Sequence, residues 1–164
     1  MPQKASPEAT STDGLLDETN RRLIAELQED ARLSLAELGR RVSLSSPAVA
    51  ERLKRLEEAG VITGYCAMVD PRRLGYGFGV VIRTRPAPGK LAIVADIARS
   101  TPEVVECHRV TGDDCYIAIA YVRDVEHLEQ VIDRFAAHGQ TTSSIMQSSP
   151  VSRRPILSPG SPEV

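Results

Sequence analysis

The sequence has few of the features that mark secreted, membrane-embedded or disulfide-stabilised proteins. Its three cysteines, Cys66, Cys107 and Cys115, are an odd number and too few for a disulfide framework. No apolar run approaches the roughly 20 residues that a membrane-spanning helix needs, and the first residues lack the apolar core of a secretory signal. We therefore expect a cytoplasmic protein with no membrane-embedded part.

The sequence also lacks the compact motifs that identify many enzymes and metal sites. It contains no nucleophile motif, no glycine-rich phosphate loop, no paired-carboxylate arrangement and no Cys-x-x-Cys repeat. Cys107, His108 and Cys115 leave two alternatives open, an enzyme with a Cys-His pair and a regulator that responds to metal or redox state. Isolated Cys and His residues are more often packing residues, so we predict no enzymatic activity, no cofactor and no metal site.

What is present is the composition of a water-soluble globular chain with room for two small domains. The 164 residues are 41% hydrophobic and 26% charged, with a formal net charge of −2. Small domains bury a low fraction of their surface, so we expect partner subunits to add stability. The overall charge counts against a general nucleic-acid binder, but residues 32–55 hold six basic and two acidic residues. This local excess indicates a DNA-binding segment.

Three short helices are predicted between residues 15 and 62. Asp17 can cap the first helix, and Ser34 opens the second through a capping box with Glu37. After a short link, Ser46 can cap a third helix with Pro47 at its first position, where a missing amide hydrogen costs nothing. Two helices joined by about four residues, with basic residues on both, are typical of a helix-turn-helix.

The third helix is the one predicted to enter the major groove of DNA. Such a helix reads bases mainly from its N-terminal residues, so the candidates for base or adjacent phosphate contacts are Ser45, Ser46, Ala48 and Arg52. The predicted phosphate clamps are Arg32, Lys54 and Arg55. The alternative is a solvated face in which the arginines pair with Glu51 and Glu58. The predicted DNA-binding residues are Arg32, Ser34, Ser45, Ser46, Pro47, Ala48, Arg52, Lys54 and Arg55.

The remainder of the chain predicts a separate α+β domain. A strand over 61–69 and a hinge rich in glycine and proline precede it. The expected order is then strand, helix, strand, strand, helix and strand over 78–85, 91–99, 104–111, 115–122, 125–137 and 141–149. This β-α-β-β-α-β order is the ferredoxin-like arrangement, an antiparallel sheet with two helices on one face.

The predicted organisation thus has five parts. They are a disordered tail over 1–14, a three-helix (winged) helix-turn-helix domain over 15–62, a strand and hinge linker over 63–77, a ferredoxin-like effector and dimerisation domain over 78–157, and a second tail over 158–164. The strand that begins at Cys115 is apolar on both faces, although the helices can cover only one. We expect a second subunit on the other face; the alternative is a monomer with a partly exposed apolar face.

Five segments make the sequence recognisable. They are LLDETNRRLI (15–24), DARLSLAELG (30–39), SPAVAERLKRLEEAGVI (46–62), VTGDDCY (110–116) and SSPVSRRPI (148–156). In order and spacing they resemble the Lrp/AsnC (leucine-responsive, feast/famine) family of transcription regulators. The resemblance implies a homodimer through the ferredoxin-like domain, often assembled further into tetramers or octamers, which binds double-stranded promoter DNA and responds to amino acids.

The turn at residues 111–114 is the predicted effector site. A free amino acid needs amides or a cation for its carboxylate and acidic or carbonyl oxygens for its ammonium. Gly112 permits a tight turn with exposed amides, and Asp113 or Asp114 is suited to the ammonium. From the residues alone, a plain hairpin turn is the alternative. The resemblance implies that Thr111, Gly112, Asp113 and Asp114 bind the effector, with Thr141, Thr142 and Ser144 contributed by a neighbouring subunit. The family commonly carries an aromatic residue at the position of Asp114 and an Asp at that of Cys115.

Overall fold

The computed structural model describes residues 14–151 and 153–156, which form two compact units. The N-terminal unit comprises the described residues of Met1–Ala67 and Val151–Val164, and the C-terminal unit is Met68–Pro150. Apart from Gly14, the predicted tails over 1–14 and 158–164 lie outside the described residues. None of the helices in these ranges combines the length and the apolar character that crossing a membrane requires.

The N-terminal unit contains the three predicted helices. They are α1 (Glu18–Glu29), α2 (Leu35–Val42) and α3 (Ser46–Glu58). Each helix is capped by a side chain that accepts a hydrogen bond from the amide three residues later, supplied by Asp17, Ser34 and Ser45 respectively. Their inward stripes meet in one apolar core, whose buried members are Leu23, Leu38, Val42, Val49, Leu53 and Leu56.

Two details of the predicted caps were wrong. The cap of α3 is Ser45, whose backbone is extended (φ −73°, ψ 153°), so Ser46 is the first helical residue and Pro47 the second. The hydroxyl of Ser34 accepts from the amide of Glu37 at 3.1 Å. However, the Glu37 carboxylate accepts from Arg40 and Arg41 on the same helix and does not reach back to complete a capping box.

The predicted strand at 61–69 does not form. A strand needs a hydrogen-bonded neighbour, and no other strand of the described ranges pairs with this segment. Val61 and Ile62 pack instead on the core of the N-terminal unit, and both amides bond to the carbonyl of Leu56. Their β-branched side chains therefore complete a helical core, which a strand-like sequence pattern does not distinguish from a sheet.

The linker also contains ordered structure that the sequence pattern did not predict. A 3₁₀ helix over Pro71–Leu74 begins after Asp70, whose carboxylate accepts from the amide of Arg72 at 2.9 Å. Within the N-terminal unit, the hydroxyl of Tyr65 donates to Glu57 of α3 at 2.7 Å. Burial, together with this carboxylate, raises the pKa of Tyr65 to about 12. The residues that follow α3 are thus held by defined polar contacts.

The C-terminal unit has the predicted β-α-β-β-α-β order. Its elements are β1 (Phe78–Pro86), α4 (Leu91–Ser100), β2 (Val104–Arg109), β3 (Tyr116–Val122), α5 (Val125–Ala136) and β4 (Gly139–Ile145). The strands form one antiparallel sheet in the order β2-β3-β1-β4. The last strand begins two residues earlier than predicted because Gly139, opposite Pro86, has no Cβ to collide with the carbonyl of Arg85. It ends at Ile145 and not at the predicted Ser149.

The two helices cover one face of this sheet. Side chains alternate between the faces along a strand, and on the covered face they form the core of the unit with α4 and α5. Its buried members are Val80, Ile82, Val94, Ala98, Tyr116, Ala118, Ala120, Val122, Leu128, Val131 and Phe135. The other face, which we call the open face, presents the half-buried Val81, Ile117, Ile119 and Tyr121. The sheet is therefore apolar on both sides.

Phe135 of α5 provides a test of this core. Its side chain is 1% exposed, so we expect Phe135→Ala to lower the free energy of unfolding by about 3–5 kcal/mol through lost burial and the cavity left behind. Chemical denaturation monitored by circular dichroism measures this change. Val125→Ala is the matched control, because Val125 lies at the exposed start of the same helix and its truncation should cost less than about 0.5 kcal/mol. Equal effects of the two substitutions would contradict the assignment of the core.

Candidate nucleic-acid interface and effector site

The link between α2 and α3 has the geometry of a helix-turn-helix. Ser43 ends α2 in the left-handed conformation (φ 59°), and the amide of Leu44 donates to the carbonyl of Gly39 at 2.8 Å. The carbonyl of Leu44 lies so close to Gly39 that a Cβ at this position would collide with it. The sharp turn that directs α3 away from α2 therefore depends on a glycine within α2.

The N-terminus of α3 presents small side chains at the surface. Ser45 and Pro47 are exposed, whereas Ser46 and Ala48 are half-buried. The Ser45 hydroxyl accepts from the amide of Ala48 at 3.4 Å. The positive end of the helix dipole lies here, so this terminus suits the acceptor edges of bases or a phosphate. The structure thus places four of the predicted DNA-binding residues together at one helix end.

The predicted phosphate-binding residues differ in whether their side chains form ion pairs within the protein. Arg32 and Arg55 are exposed, and within the described ranges neither side chain forms an ion pair or a hydrogen bond. Lys54 is also exposed but lies 3.8 Å from a carboxylate oxygen of Glu58, one turn later. Such exposed pairs contribute little stability and are easily exchanged. These three cations are available to phosphates, while Ser34 is exposed and serves as the cap of α2.

Arg52, by contrast, is engaged within the N-terminal unit. Its Nη1 lies 2.7 Å from Oδ2 of Asp17 and 3.0 Å from Oδ1 of Asn20, both on α1 or at its cap. The hydrogen bond from Arg52, with that from the Asn20 amide, holds the pKa of the Asp17 carboxyl below its usual value. Sequence reasoning missed Asn20. The available signal was a polar residue at helical spacing between Leu16 and Leu23, since a buried polar group requires a partner.

The predicted effector turn is closed by two backbone hydrogen bonds. The amide of Val110 donates to the carbonyl of Cys115 at 2.8 Å, and the amide of Tyr116 donates to that of Asp114 at 2.6 Å. Gly112 (φ 105°) and Cys115 (φ 57°) both have positive φ angles, which an L side chain such as that of cysteine rarely adopts. The amides of residues 111–115 donate no hydrogen bond to another described residue. The turn therefore offers several unused donors beside two carboxylates.

The predicted residues of β4 divide between the two faces of the sheet. Thr141 lies opposite Thr84 on the face covered by the helices, and its hydroxyl is 3.5 Å from that of Thr84. Thr142 and Ser144 lie opposite Arg83 and Val81 and are exposed on the open face. The start of β4 and the turn reach the same end of the sheet, because Thr84 pairs with both Thr141 and Tyr116. Only two of the three β4 side chains share a surface.

The cysteine and histidine residues do not converge on a site. Cys107 and His108 are consecutive on β2, so their side chains point to opposite faces. Burial raises the pKa of the Cys107 thiol, and the nearby Arg99 only partly offsets this effect, which disfavours the reactive thiolate. Over the described ranges, no group of three or more His, Cys, Asp or Glu side chains is arranged to hold a metal ion. The geometry supports neither the enzyme nor the metal-sensor alternative.

A buried histidine and glutamate in the C-terminal unit have structural partners. His127 Nε2 lies 2.8 Å from Glu103, and its Nδ1 accepts from the amide of Arg123 at 3.3 Å. Burial alone would raise the pKa of Glu103, but the hydrogen bond from His127 and the nearby Arg134 lower it below its usual value. This pair links the loop before β2 to the first turn of α5, where Asp124 caps the helix. It therefore joins two elements of the C-terminal unit.

Two families of known proteins match the two units. Residues 16–63 match the winged helix-turn-helix DNA-binding family, and residues 79–156 match the Lrp/AsnC ligand binding domain. The first match covers α1 to α3, and the second covers almost all of the sheet and both of its helices. Together they account for nearly all of the described chain.

Individual relatives match over the same length. The chain is 39% identical to the HTH-type transcriptional regulator YezC of Bacillus subtilis over 82% of this chain and 95% of that protein. Among solved structures, it is similar to the transcriptional regulator NMB0573 of Neisseria meningitidis in complex with L-methionine (TM-score 0.80, 31% identity, 86% and 96% of the two chains). It is also similar to the feast or famine regulatory protein Rv3291c of Mycobacterium tuberculosis complexed with L-methionine (TM-score 0.82, 30% identity, 87% and 99%).

The two matched units occur here in the order that these regulators share, with a helix-turn-helix before a β-α-β-β-α-β domain. The matches span both units, since they cover more than four fifths of this chain and almost all of each of these relatives. This protein therefore belongs to the Lrp/AsnC family of HTH-type transcriptional regulators.

Proposed function

We propose that the protein is a sequence-specific regulator that binds promoter DNA through α2 and α3 as a homodimer, and whose DNA affinity or assembly responds to an amino acid. The observation that carries the proposal is the positively polarised N-terminus of α3, with Ser45 and Pro47 exposed. Arg32 before α2 and Arg55 in the last turn of α3 add exposed cations that form no ion pair with a described residue. Such a regulator acts where the chromosome is, in the cytoplasm.

The proposed DNA contacts fall into two groups. Ser45, Ser46, Pro47 and Ala48 at the start of α3 read base edges and the adjacent phosphate, because this end of a recognition helix lies deepest in the major groove. Arg32, Lys54 and Arg55, with Ser34 at the start of α2, bind phosphates on either side and set the register of the protein on the duplex.

The proposed effector is an amino acid bound at the turn over residues 111–114. Its carboxylate would accept hydrogen bonds from the uncommitted amides of the turn, and Asp113 or Asp114 would bind its ammonium. Thr142 and Ser144 are exposed on the open face and can be contributed by a neighbouring subunit. The L-methionine complexes of NMB0573 and Rv3291c support this ligand class.

The proposed dimer forms through the open face of the sheet. Ile117, Ile119 and Tyr121 lie on this face in β3, a strand that is hydrogen-bonded on both sides within the sheet. Apolar surface of this kind is stabilised when a second copy covers it. A two-fold dimer places two recognition helices on one duplex, which requires a roughly palindromic site with half-sites spaced by whole turns. Assembly of such dimers into tetramers or octamers would follow the pattern of the family.

The DNA-binding proposal is tested by fluorescence anisotropy at fixed salt, with DNA from upstream of the protein's own gene and with random duplex DNA. We expect preference for the upstream DNA, and a shift of the binding curve when pooled amino acids are added. Arg55→Gln should weaken binding. It should also reduce the magnitude of the negative slope of log K against log salt by about 0.9, the value for one lost phosphate contact. Wild-type protein with no preference for any DNA would refute the proposal. Preference without a response to amino acids would refute only the effector.

The effector site is tested by isothermal titration calorimetry with L-methionine and with the pooled amino acids. Loss of a hydrogen bond to a charged group typically costs about 1.5–3 kcal/mol, so Asp113→Asn combined with Asp114→Asn should weaken binding at least about tenfold. Glu126→Gln is the control, since Glu126 is exposed in the first turn of α5, which follows the end of β3 remote from the turn. Unchanged affinity in the double variant would contradict the assignment of the ammonium site.

The dimer is tested by sedimentation equilibrium of Ile119→Arg. A buried unpaired charge at the centre of an apolar interface is strongly unfavourable, so this variant should sediment as a monomer at concentrations where the wild type is dimeric. Val125→Arg, at an exposed position of α5, is the control and should leave the assembly unchanged. A dimeric Ile119→Arg protein would place the interface elsewhere.

A further inference from the structure

We infer that Arg52 is a positioning residue, which fixes the rotation of α3 on α1 through hydrogen bonds to Asp17 and Asn20 and does not itself bind DNA. The inference rests on the proposed DNA-binding function of α3. It replaces the sequence-based assignment of Arg52 to the DNA contacts.

Both acceptors of the Arg52 guanidinium are held in place by other hydrogen bonds. Oδ1 of Asp17 accepts from the amide of Asn20 at 2.7 Å and caps α1, which leaves Oδ2 directed at Arg52. The side-chain amide of Asn20 donates to the carbonyl of Leu15 at 2.6 Å, so its Oδ1 is also turned toward Arg52. The pair on α1 is therefore organised to receive a cation from α3.

Withdrawal of Arg52 toward DNA would leave a buried group without a partner. Asn20 is 4% exposed, and within the described ranges Arg52 is the only donor to its Oδ1. Removing the donor of a buried carbonyl oxygen is unfavourable. Release of Arg52 is thus opposed by Asn20 as well as by the carboxylate of Asp17.

Electrostatics also favour Arg55 over Arg52 as the phosphate ligand. The charge of Arg52 is balanced by Asp17 at 2.7 Å, and the lowered pKa of this carboxyl keeps it ionised at neutral pH. A phosphate that approached Arg52 would therefore also approach a negative charge. Arg55 lies three residues later on the same side of α3 and is exposed, and none of its side-chain atoms forms an ion pair in the described part of the chain.

The hydrogen bonds of Arg52 add a directional restraint to the apolar packing of α3. The core between the helices contains Leu23, Val49 and Leu56, whose contacts are non-directional. Hydrogen bonds weaken steeply as their angle departs from linearity, so those from Arg52 resist rotation of α3 about its axis. Such rotation would redirect Ser45 and Ala48, which precede Arg52 on the same helix. The network therefore contributes to the direction in which the proposed base-reading residues point.

The test uses full-length protein and the tightest-binding duplex that the wild type selects from a randomised library, with a random duplex of equal length for comparison. The variants are Arg52→Gln, Asp17→Asn, their combination, and Arg55→Gln as the matched control. Asn caps helices as well as Asp does, so Asp17→Asn removes the charge and retains the cap of α1. Thermal unfolding of each variant ensures that binding is measured on folded protein.

We expect Arg52→Gln and Asp17→Asn each to weaken binding to the selected duplex about tenfold, comparable with the loss of one base contact. Binding to random DNA and the salt slope should remain unchanged, and the double variant should bind no more weakly than either single variant. Arg55→Gln should instead weaken binding to both duplexes and reduce the magnitude of the salt slope by about 0.9.

Three results would overturn the inference. A salt slope whose magnitude is smaller by about 0.9 in Arg52→Gln than in the wild type would show that Arg52 contacts a phosphate. Tighter binding by Asp17→Asn would show that the carboxylate restrains a DNA ligand. Wild-type affinity and specificity in both variants, with only the melting temperature lowered, would make the network purely structural. Failure of the wild type to select any duplex would refute the proposed function itself, and this inference with it.

Discussion

Two helices can cover only one face of a four-stranded sheet, and the organisation of the C-terminal unit depends on this constraint. The chain places its smallest apolar side chains, Ala118 and Ala120, on the covered face of β3, where α4 and α5 approach closely. The larger Ile117, Ile119 and Tyr121 occupy the open face. The same alternation brings Thr142 and Ser144 to the open face and commits Thr141 to the covered one. The register of the strands therefore brings the proposed subunit interface and two of the proposed effector-binding residues to the same face.

The N-terminal unit combines a small apolar core with polar contacts that fix its geometry. Three capping side chains define where the helices begin, and the close approach of Leu44 to Gly39 defines the turn between α2 and α3. Asp17 has two functions, since one oxygen caps α1 and the other receives Arg52 from α3. Directional contacts of this kind contribute modest stability but restrict how α3 can be presented to a duplex.

Sequence reasoning was reliable where local pattern and tertiary context agreed. The three helices, the β-α-β-β-α-β order and the Lrp/AsnC family were predicted correctly, because periodicity, capping residues and turn residues all indicated the same elements. It failed where a residue had two plausible partners. Val61 and Ile62 have strand-like side chains but complete a helical core, and Glu37 can cap α2 but binds Arg40 and Arg41. Local sequence does not decide between such partners, because the folded geometry determines which of them lies within reach.

The candidate sites show the same division. The sequence by itself determined the proposed recognition helix, its basic residues and a glycine-containing turn with two carboxylates, because spacing along a helix or strand assigns side chains to a face. Only the tertiary structure decided that Arg52 is held by Asp17 and Asn20 while Arg55 is free, and that Thr141 lies apart from Thr142 and Ser144. The physical reason is that periodicity gives the direction of a side chain, whereas its partner depends on residues distant in sequence that the fold brings within hydrogen-bonding distance.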